Sequence, residues 1–190
     1  MGEKIRRREF LQVTVAGGAA CAALPGLVAT GAASGGPKLI SPGCRRTKVR
    51  VGKIYMGRPK AHWPTPKLDL QAEVRRYEAE FARLGKQLSD VQFVCSELVS
   101  SPQQVRQLAD KLKDVDGILA IHLSMGIGRI LGEILRLGRP TVLFAAPYSG
   151  HEWTSYGALR KRNPLFDAIL TSDFDQLAIQ LNCVQYGMDR

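Results

Sequence analysis

The sequence is poor in cysteine, and its cysteines are not arranged in pairs. It has four among 190 residues, and no C-x-x-C spacing occurs. Cys21 lies within a leader described below, so an odd number would remain, namely Cys44, Cys95 and Cys183. This arrangement excludes a disulfide scaffold and a zinc ribbon. Cys95, in the apolar run VQFVC, is predicted to be a small buried hydrophobic residue.

Histidine is also scarce, which weakens the case for a metal site. The three histidines are His62, His122 and His151, and nothing in their spacing requires them to meet. His151-Glu152 is not followed by a second histidine four residues after the first, so it is not a zinc-protease motif. We therefore predict no metal site in this chain.

Acidic residues are outnumbered by basic ones, and the formal net charge is +10. A basic segment can bind nucleic acid or a membrane surface. The sequence contains no zinc-finger spacing and no aromatic-flanked basic motif, so we expect no nucleic-acid partner. The favoured interpretation of the basic segment is a solvated flank followed by a strand with one outward-facing side. Its residues are Arg45, Arg46, Lys48, Arg50, Lys53, Arg58, Lys60 and Lys67.

The first 33 residues resemble a twin-arginine export signal. Arg7-Arg8-Glu9-Phe10-Leu11 has two arginines, one spacer residue and Phe-Leu, and a weakly hydrophobic stretch rich in Ala and Gly follows. The alternative is a membrane anchor, but glycines and Pro25 dilute the apolar character of this stretch. We expect residues 1–33 to be a twin-arginine signal peptide and the protein to be periplasmic or otherwise exported. The mature form should have no stable membrane span.

The segment from Val115 to Gly150 is the most informative part of the chain. Ile118 to Ile121 and Thr141 to Ala146 are short apolar runs without alternation, which is typical of buried parallel strands. Between them, apolar residues recur at helical spacing until Gly138. This pattern predicts a right-handed βαβ unit.

The remaining segments predict three more strands and three more helices after a linker at residues 34–47. The order predicts an α/β fold, namely a three-layer doubly wound domain over residues 48–190 with a five-stranded parallel sheet in the order 2-1-3-4-5. The stretch His151 to Asn163 is interpreted as a polar loop. The predicted strands are Val49 to Met56, Val91 to Cys95 and Phe166 to Leu170, and the helices run from Leu70 to Leu84, from Ser101 to Leu112 and from Phe174 to Tyr186.

Polar residues follow the third and fourth predicted strands, at the sheet edge where ligands bind in such folds. Gly126-x-Gly128 opens a helix, whose free N–H groups suit oxygen atoms of a ligand. The spacing does not fit a dinucleotide fingerprint, and tight turning is an alternative explanation for the glycines. Ser149 is not in a G-x-S-x-G motif, so a hydrolase elbow is not indicated.

The aromatic and polar residues after the fourth strand suit a carbohydrate ligand. The alternatives are a loop that packs its own aromatics and, for the histidine after the third strand, a hydrogen-bonded residue at a helix boundary. We assign no catalytic residue. The predicted substrate-binding residues are His122, Ser124, Gly126, Tyr148, Ser149, His151 and Glu152.

Three segments, KVRVGKIYMGRP, DGILAIHLSMGIG and LGRPTVLFAAPYSGHEW, resemble the amino-terminal domain of the L-fucose and L-arabinose isomerase-like family. The resemblance runs from Lys48 to about Asn182. It implies a domain that helps to bind a monosaccharide or polyol. In that family later domains hold the metal ion and supply the catalytic acids, and this sequence ends at Arg190. We therefore expect no cofactor within this chain.

The same resemblance implies that Mn²⁺ and aldose–ketose isomerase activity would require other domains. A homo-oligomer or a separate catalytic domain could supply them. Two alternatives stay open at this point. The "VDGI" strand, helix and "LGRPTVLF" unit also occurs in single lobes of periplasmic-binding-protein-like modules, and the chain could be an inactive truncated product.

Overall fold

The computed structural model describes residues 48–177, which belong to the compact unit Ile40–Arg190. The predicted signal peptide, the linker at 34–47 and the last predicted helix beyond Leu177 lie outside the described residues. Within residues 48–177, no helix is long and apolar enough to cross a membrane.

The sheet has five strands, all parallel, in the order β2-β1-β3-β4-β5. This confirms the predicted doubly wound α/β fold and its strand order. Because β1 and β3 are neighbours while β2 lies beyond β1, the chain reverses its direction of travel across the sheet between them. The strands are β1 Val49–Met56, β2 Val91–Val99, β3 Gly117–His122, β4 Thr141–Ala145 and β5 Phe166–Leu170.

Helices cover both faces of the sheet and complete three layers. Alternate residues along β1 point to opposite faces, so Val51 and Tyr55 pack in one apolar cluster and Ile54 and Met56 in the other. The first cluster includes residues of α1, and the second includes residues of α2 to α5. The helices that lie wholly within the described residues are α1 Leu70–Arg83, α2 Pro102–Gln107, α3 Ala109–Leu112, α4 Gly128–Leu135 and α5 Tyr156–Arg162.

Helix starts follow the capping residues that the sequence offers. The Asp69 side chain accepts hydrogen bonds from the N–H groups of Gln71 and Ala72 at 3.0 Å, which begins α1. Ser101 and Gln104 form a capping box that begins α2. The predicted helix from Ser101 to Leu112 is interrupted at Leu108, so it forms two short helices.

Two further local predictions differ from the structure. Strand β2 continues to Val99, beyond the predicted end at Cys95, because polar Ser96 and Glu97 interrupt the apolar run without ending the pairing with β1. The stretch predicted as a loop, His151 to Asn163, contains a 3-10 helix, Glu152–Ser155, and α5. Few apolar residues mark α5, which is why its periodicity is faint in the sequence.

Lys53 is the largest departure from the predicted pattern. The interpretation of β1 as a strand with one outward-facing side is wrong at this position, because Lys53 is only 3% exposed. Its side chain lies on the face that α1 covers, between Val51 and Tyr55 of the same strand. A charged group thus occupies a position where the alternation of β1 would place an apolar residue.

Candidate functional site

The loops after β1 and β3 are joined at the carboxyl edge of the sheet. The N–H of Leu123 donates to the carbonyl oxygen of Met56 at 2.9 Å. The N–H of Arg58 donates to the hydroxyl of Ser124 at 2.8 Å, and Ser124 is fully buried. Ser124 therefore fixes the neighbouring loop, and its hydroxyl does not face solvent.

His122 connects the ends of β3 and β4. Its side chain is 2% exposed, and both ring nitrogens lie within hydrogen-bonding distance of a partner. The Nδ1 atom is 2.7 Å from Ser149 Oγ, and the Nε2 atom is 2.9 Å from Glu152 Oε2. Both ring nitrogens are thus engaged inside the protein, and His122 holds Ser149 and Glu152 in place.

The donors and acceptors around His122 fix the proton on one ring nitrogen and leave two arrangements for the other. An ionised carboxylate can only accept, so the Nε2 atom carries the proton that is shared with Glu152. Ser149 Oγ also lies 2.8 Å from the carbonyl oxygen of Ala146, and its hydroxyl has one proton to donate. If Ser149 donates to Nδ1, the ring is neutral, and if it donates to Ala146, both ring nitrogens are protonated.

Glu152 is held by the start of α4 as well as by His122. Its Oε1 atom accepts hydrogen bonds from the N–H of Gly126 and, at 3.0 Å, from the N–H of Ile127. Burial by itself raises the pKa of Glu152, but the hydrogen bonds from His122 and the two N–H groups outweigh it and lower the pKa. The N–H of Gly126, expected to meet a ligand oxygen, is thus already used by Glu152.

Gly150 allows the β4 loop to pass close to His122. A Cβ atom added at Gly150 would lie 2.5 Å from His122 Cε1 and 2.7 Å from Glu152 Oε2. Gly126 has a φ of +86°, a backbone conformation that glycine adopts without strain. The two glycines therefore have packing and backbone roles in holding Glu152 near the helix start.

Aromatic side chains form an exposed rim beside this buried cluster. The rings of Trp63 and His151 lie with their centroids 5.0 Å apart at an interplanar angle of 36°. The carbonyl oxygen of Trp63 accepts a hydrogen bond from the N–H of Met125 at 3.2 Å, which ties the β1 loop to the β3 loop. Trp63, Tyr148 and Trp153 remain 38%, 49% and 47% exposed.

The predicted site residues thus divide into two groups. His122, Ser124, Ser149 and the N–H of Gly126 are bonded within the protein, whereas Tyr148 and His151 are exposed and Glu152 is partly exposed. Sequence reasoning did not include Trp63 among the site residues. The signal available was an aromatic residue in the loop directly after β1, at the switch point of the sheet.

The described part of the chain holds no group of three His, Cys, Asp or Glu side chains arranged to bind a metal ion. At the carboxyl edge, Glu152, Tyr148, His151 and Trp63 offer groups for hydrogen bonding and aromatic stacking. Comparison with known proteins finds no family model that matches, no similar curated protein and no similar solved structure.

Proposed function

We propose that this domain binds a monosaccharide or polyol at the carboxyl edge of its sheet. The observation that carries the proposal is the arrangement around Glu152. A buried histidine and two backbone N–H groups fix the carboxylate, while the neighbouring rings of Trp63 and His151 stay exposed and in contact. A fixed acceptor beside flat aromatic surfaces matches the hydroxyl groups and C–H faces of a sugar.

Recognition would use each of these groups differently. The aromatic faces of Trp63 and Tyr148 would cover the apolar face of the sugar ring. Glu152 would accept a hydrogen bond from one sugar hydroxyl through the acceptor position that its three present hydrogen bonds leave free, since a carboxylate has about four such positions. His122 would act through Glu152 by holding its orientation, and Ser149 would hold His122.

The proposal extends to the family that the sequence resembles. We infer a role like that of the amino-terminal domain of L-fucose and L-arabinose isomerases, in which this domain contributes to sugar binding and other domains supply the metal and the catalytic acids. Export through the twin-arginine signal around Arg7 and Arg8 would place this activity in the periplasm or outside the cell. Support for both inferences comes from the sequence segments.

Titration calorimetry with L-fucose, L-arabinose and their alditols tests the binding proposal. We expect saturable binding to at least one of them and about a tenfold weaker affinity for Trp63→Ala, because a lost aromatic contact costs about 1 kcal/mol or more. Leu165→Ala is the matched control. Leu165 is 51% exposed and precedes β5, at the opposite edge of the sheet. Absence of binding to the whole panel, or equal weakening by both substitutions, would overturn the proposal.

A further inference from the structure

A second polar cluster lies inside the domain, on the face of the sheet that α1 covers. Lys53 projects from the middle of β1, and its Nζ atom lies 4.5 Å from the ring centroid of Phe81 and 4.4 Å from that of Phe93. The same atom is 2.6 Å from Glu78 Oε2. Two aromatic faces and one carboxylate therefore surround a nearly fully buried amine.

Glu78 links this amine to a second polar group and to solvent. The hydroxyl of Tyr55 donates to Glu78 Oε1 at 2.8 Å, so each carboxylate oxygen has its own partner. The Glu78 side chain is 38% exposed, whereas that of Lys53 is 4% exposed. Glu78 thus lies between the buried amine and the outside and could exchange protons with either.

A cavity of about 390 Å³, largely open to solvent, borders this cluster. This volume lies within the range typical of small-molecule sites. Its walls include Lys53, Glu78, Phe81 and Phe93, and Lys48 and Val91 place it toward the amino-terminal ends of β1 and β2. None of the residues of the carboxyl-edge site lines it, so the two sites are separate.

The surroundings of Lys53 favour its neutral form more than solvent does. Burial lowers the pKa of Lys53, and the hydrogen bond and charge of Glu78 oppose this effect only in part. Burial raises the pKa of Glu78, but the hydrogen bonds from Lys53 and Tyr55 outweigh it and lower the pKa, so Glu78 is a carboxylate that can accept a proton. A neutral amine is a nucleophile, and a lysine desolvated among apolar groups is a common source of one. An ion pair that served only to neutralise Lys53 would need no adjoining cavity.

We propose that Lys53 is a reactive amine that condenses with a small aldehyde or ketone bound in this cavity. Glu78 takes a proton from the ammonium group, and the Nζ lone pair then attacks the carbonyl carbon to form a C–N bond. As the C=O π bond breaks, a second proton passes from nitrogen to the carbonyl oxygen and gives the neutral carbinolamine. Glu78 then returns the first proton to the carbinolamine hydroxyl, which leaves as water while the nitrogen lone pair forms the C=N bond of the protonated imine. One carbonyl compound and one amine give one imine and one water, with no net oxidation or reduction.

The test is reductive trapping of the folded full chain with glycolaldehyde or glyoxylate and cyanoborohydride, which supplies hydride to the imine. Peptide mass spectrometry then reports the extent of modification at each lysine. Lys111 is the matched control, because it also pairs with a carboxylate, Glu97 at 2.8 Å, yet its side chain is 61% exposed. We expect Lys53 to be modified at least tenfold faster than Lys111.

The Glu78→Gln variant tests the proton transfer. We expect slower modification of Lys53 in this variant and an unchanged rate at Lys111, with folding checked by circular dichroism. Modification of Lys111 while Lys53 is protected, or modification of Lys53 only in urea, would show that the cluster is a structural ion pair and overturn the proposal. If Glu78→Gln does not fold, the ratio of the two rates in the unsubstituted protein decides the question.

Discussion

At the scale of single residues, His122 shows how a side chain at the end of a strand can be bonded within the protein instead of facing a ligand. From the sequence, a histidine at the end of β3 could contact a ligand or be bonded within the protein. In the structure both of its ring nitrogens are engaged, by Ser149 and Glu152. In the proposed site, His122 would therefore orient the Glu152 carboxylate, and the exposed side chains of the loop after β4 would be the ones that touch the ligand.

Glu152 should make the stability of the domain depend on pH. Its pKa is lowered in the folded protein, so its contribution is present above the unfolded value of about 4.3 and is lost as pH falls through the folded pKa. At pH 7 we expect Glu152→Gln to lower the free energy of unfolding by about 1 to 2 kcal/mol, because charge-assisted hydrogen bonds are replaced by neutral ones. Urea unfolding at several pH values measures this difference.

The difference in the free energy of unfolding between the unsubstituted protein and Glu152→Gln should shrink as the pH is lowered from 5 toward 3. A difference that stays constant over that range would show that the charge of Glu152 does not stabilise the fold. His151→Ala is the control. Because His151 is exposed, we expect this substitution to change the stability of the domain little at any pH.

Residue-scale features were predictable where they depend on position along one strand, and were missed where they depend on distant contacts. The end of β3 placed His122, and the end of β4 placed Tyr148 to Glu152, at one edge of the sheet. Trp63 and Lys53 acquire their roles through His151 and Glu78, each far away in the sequence. No local pattern reports such pairs.

At the scale of elements, the loop from β4 to α5 is packed more tightly than its polar sequence indicates. Gly150→Ala should lower the free energy of unfolding by about 1 to 3 kcal/mol, because its methyl group would overlap the His122 ring and the Glu152 carboxylate. Thermal and urea unfolding measure this effect. It should be accompanied by weaker sugar binding, since Glu152 would be displaced.

Gly157→Ala is a matched control within the same region. Gly157 lies in α5, and a Cβ added there would meet no atom within 4 Å. We expect this change to raise stability by up to about 1 kcal/mol, because alanine favours a helix over glycine. Equal effects of the two substitutions would contradict the close packing at Gly150.

The elements best predicted from sequence are those buried on both faces. Strands β3 and β4 are buried along their whole length and were predicted within one residue of their bounds, since each is a continuous apolar run. Strand β5 is only partly buried, and its bounds were predicted with the help of the polar residues that follow it. The second half of β2 and helix α5 were missed. Both are only partly buried, so tertiary contacts and not an apolar pattern define them.

At the scale of the whole molecule, the sheet order explains why one edge collects the candidate site. Strands β1, β3 and β4 are adjacent and parallel, so the loops after them emerge side by side. This placement was predictable, because alternating strands and helices with buried runs allow few arrangements. The identity of a ligand was not predictable, because the side chains that meet at this edge also fit a loop that only packs against itself.

The location of the protein in the cell is a separate prediction from the leader. Replacing Arg7 and Arg8 by lysine should leave the protein in the cytoplasm, because the paired arginines are the feature that the twin-arginine pathway would read. Fractionation followed by immunoblotting measures the distribution. Substituting Lys4 by arginine is the control and should leave export unchanged. Continued export of the doubly substituted protein would contradict the signal assignment.

Sugar binding at the carboxyl edge can be tested most directly through the tryptophans. The chain has two, Trp63 in the loop after β1 and Trp153 in the 3-10 helix after β4, and both are exposed. In Trp153→Phe, the emission of Trp63 alone reports on the ring that contacts His151. Titration with L-arabinose or L-fucose should produce a saturable shift of this emission to shorter wavelength, because a bound sugar would remove water from the indole. Emission that stays unchanged, or changes only in linear proportion to sugar concentration, would contradict the proposed binding site.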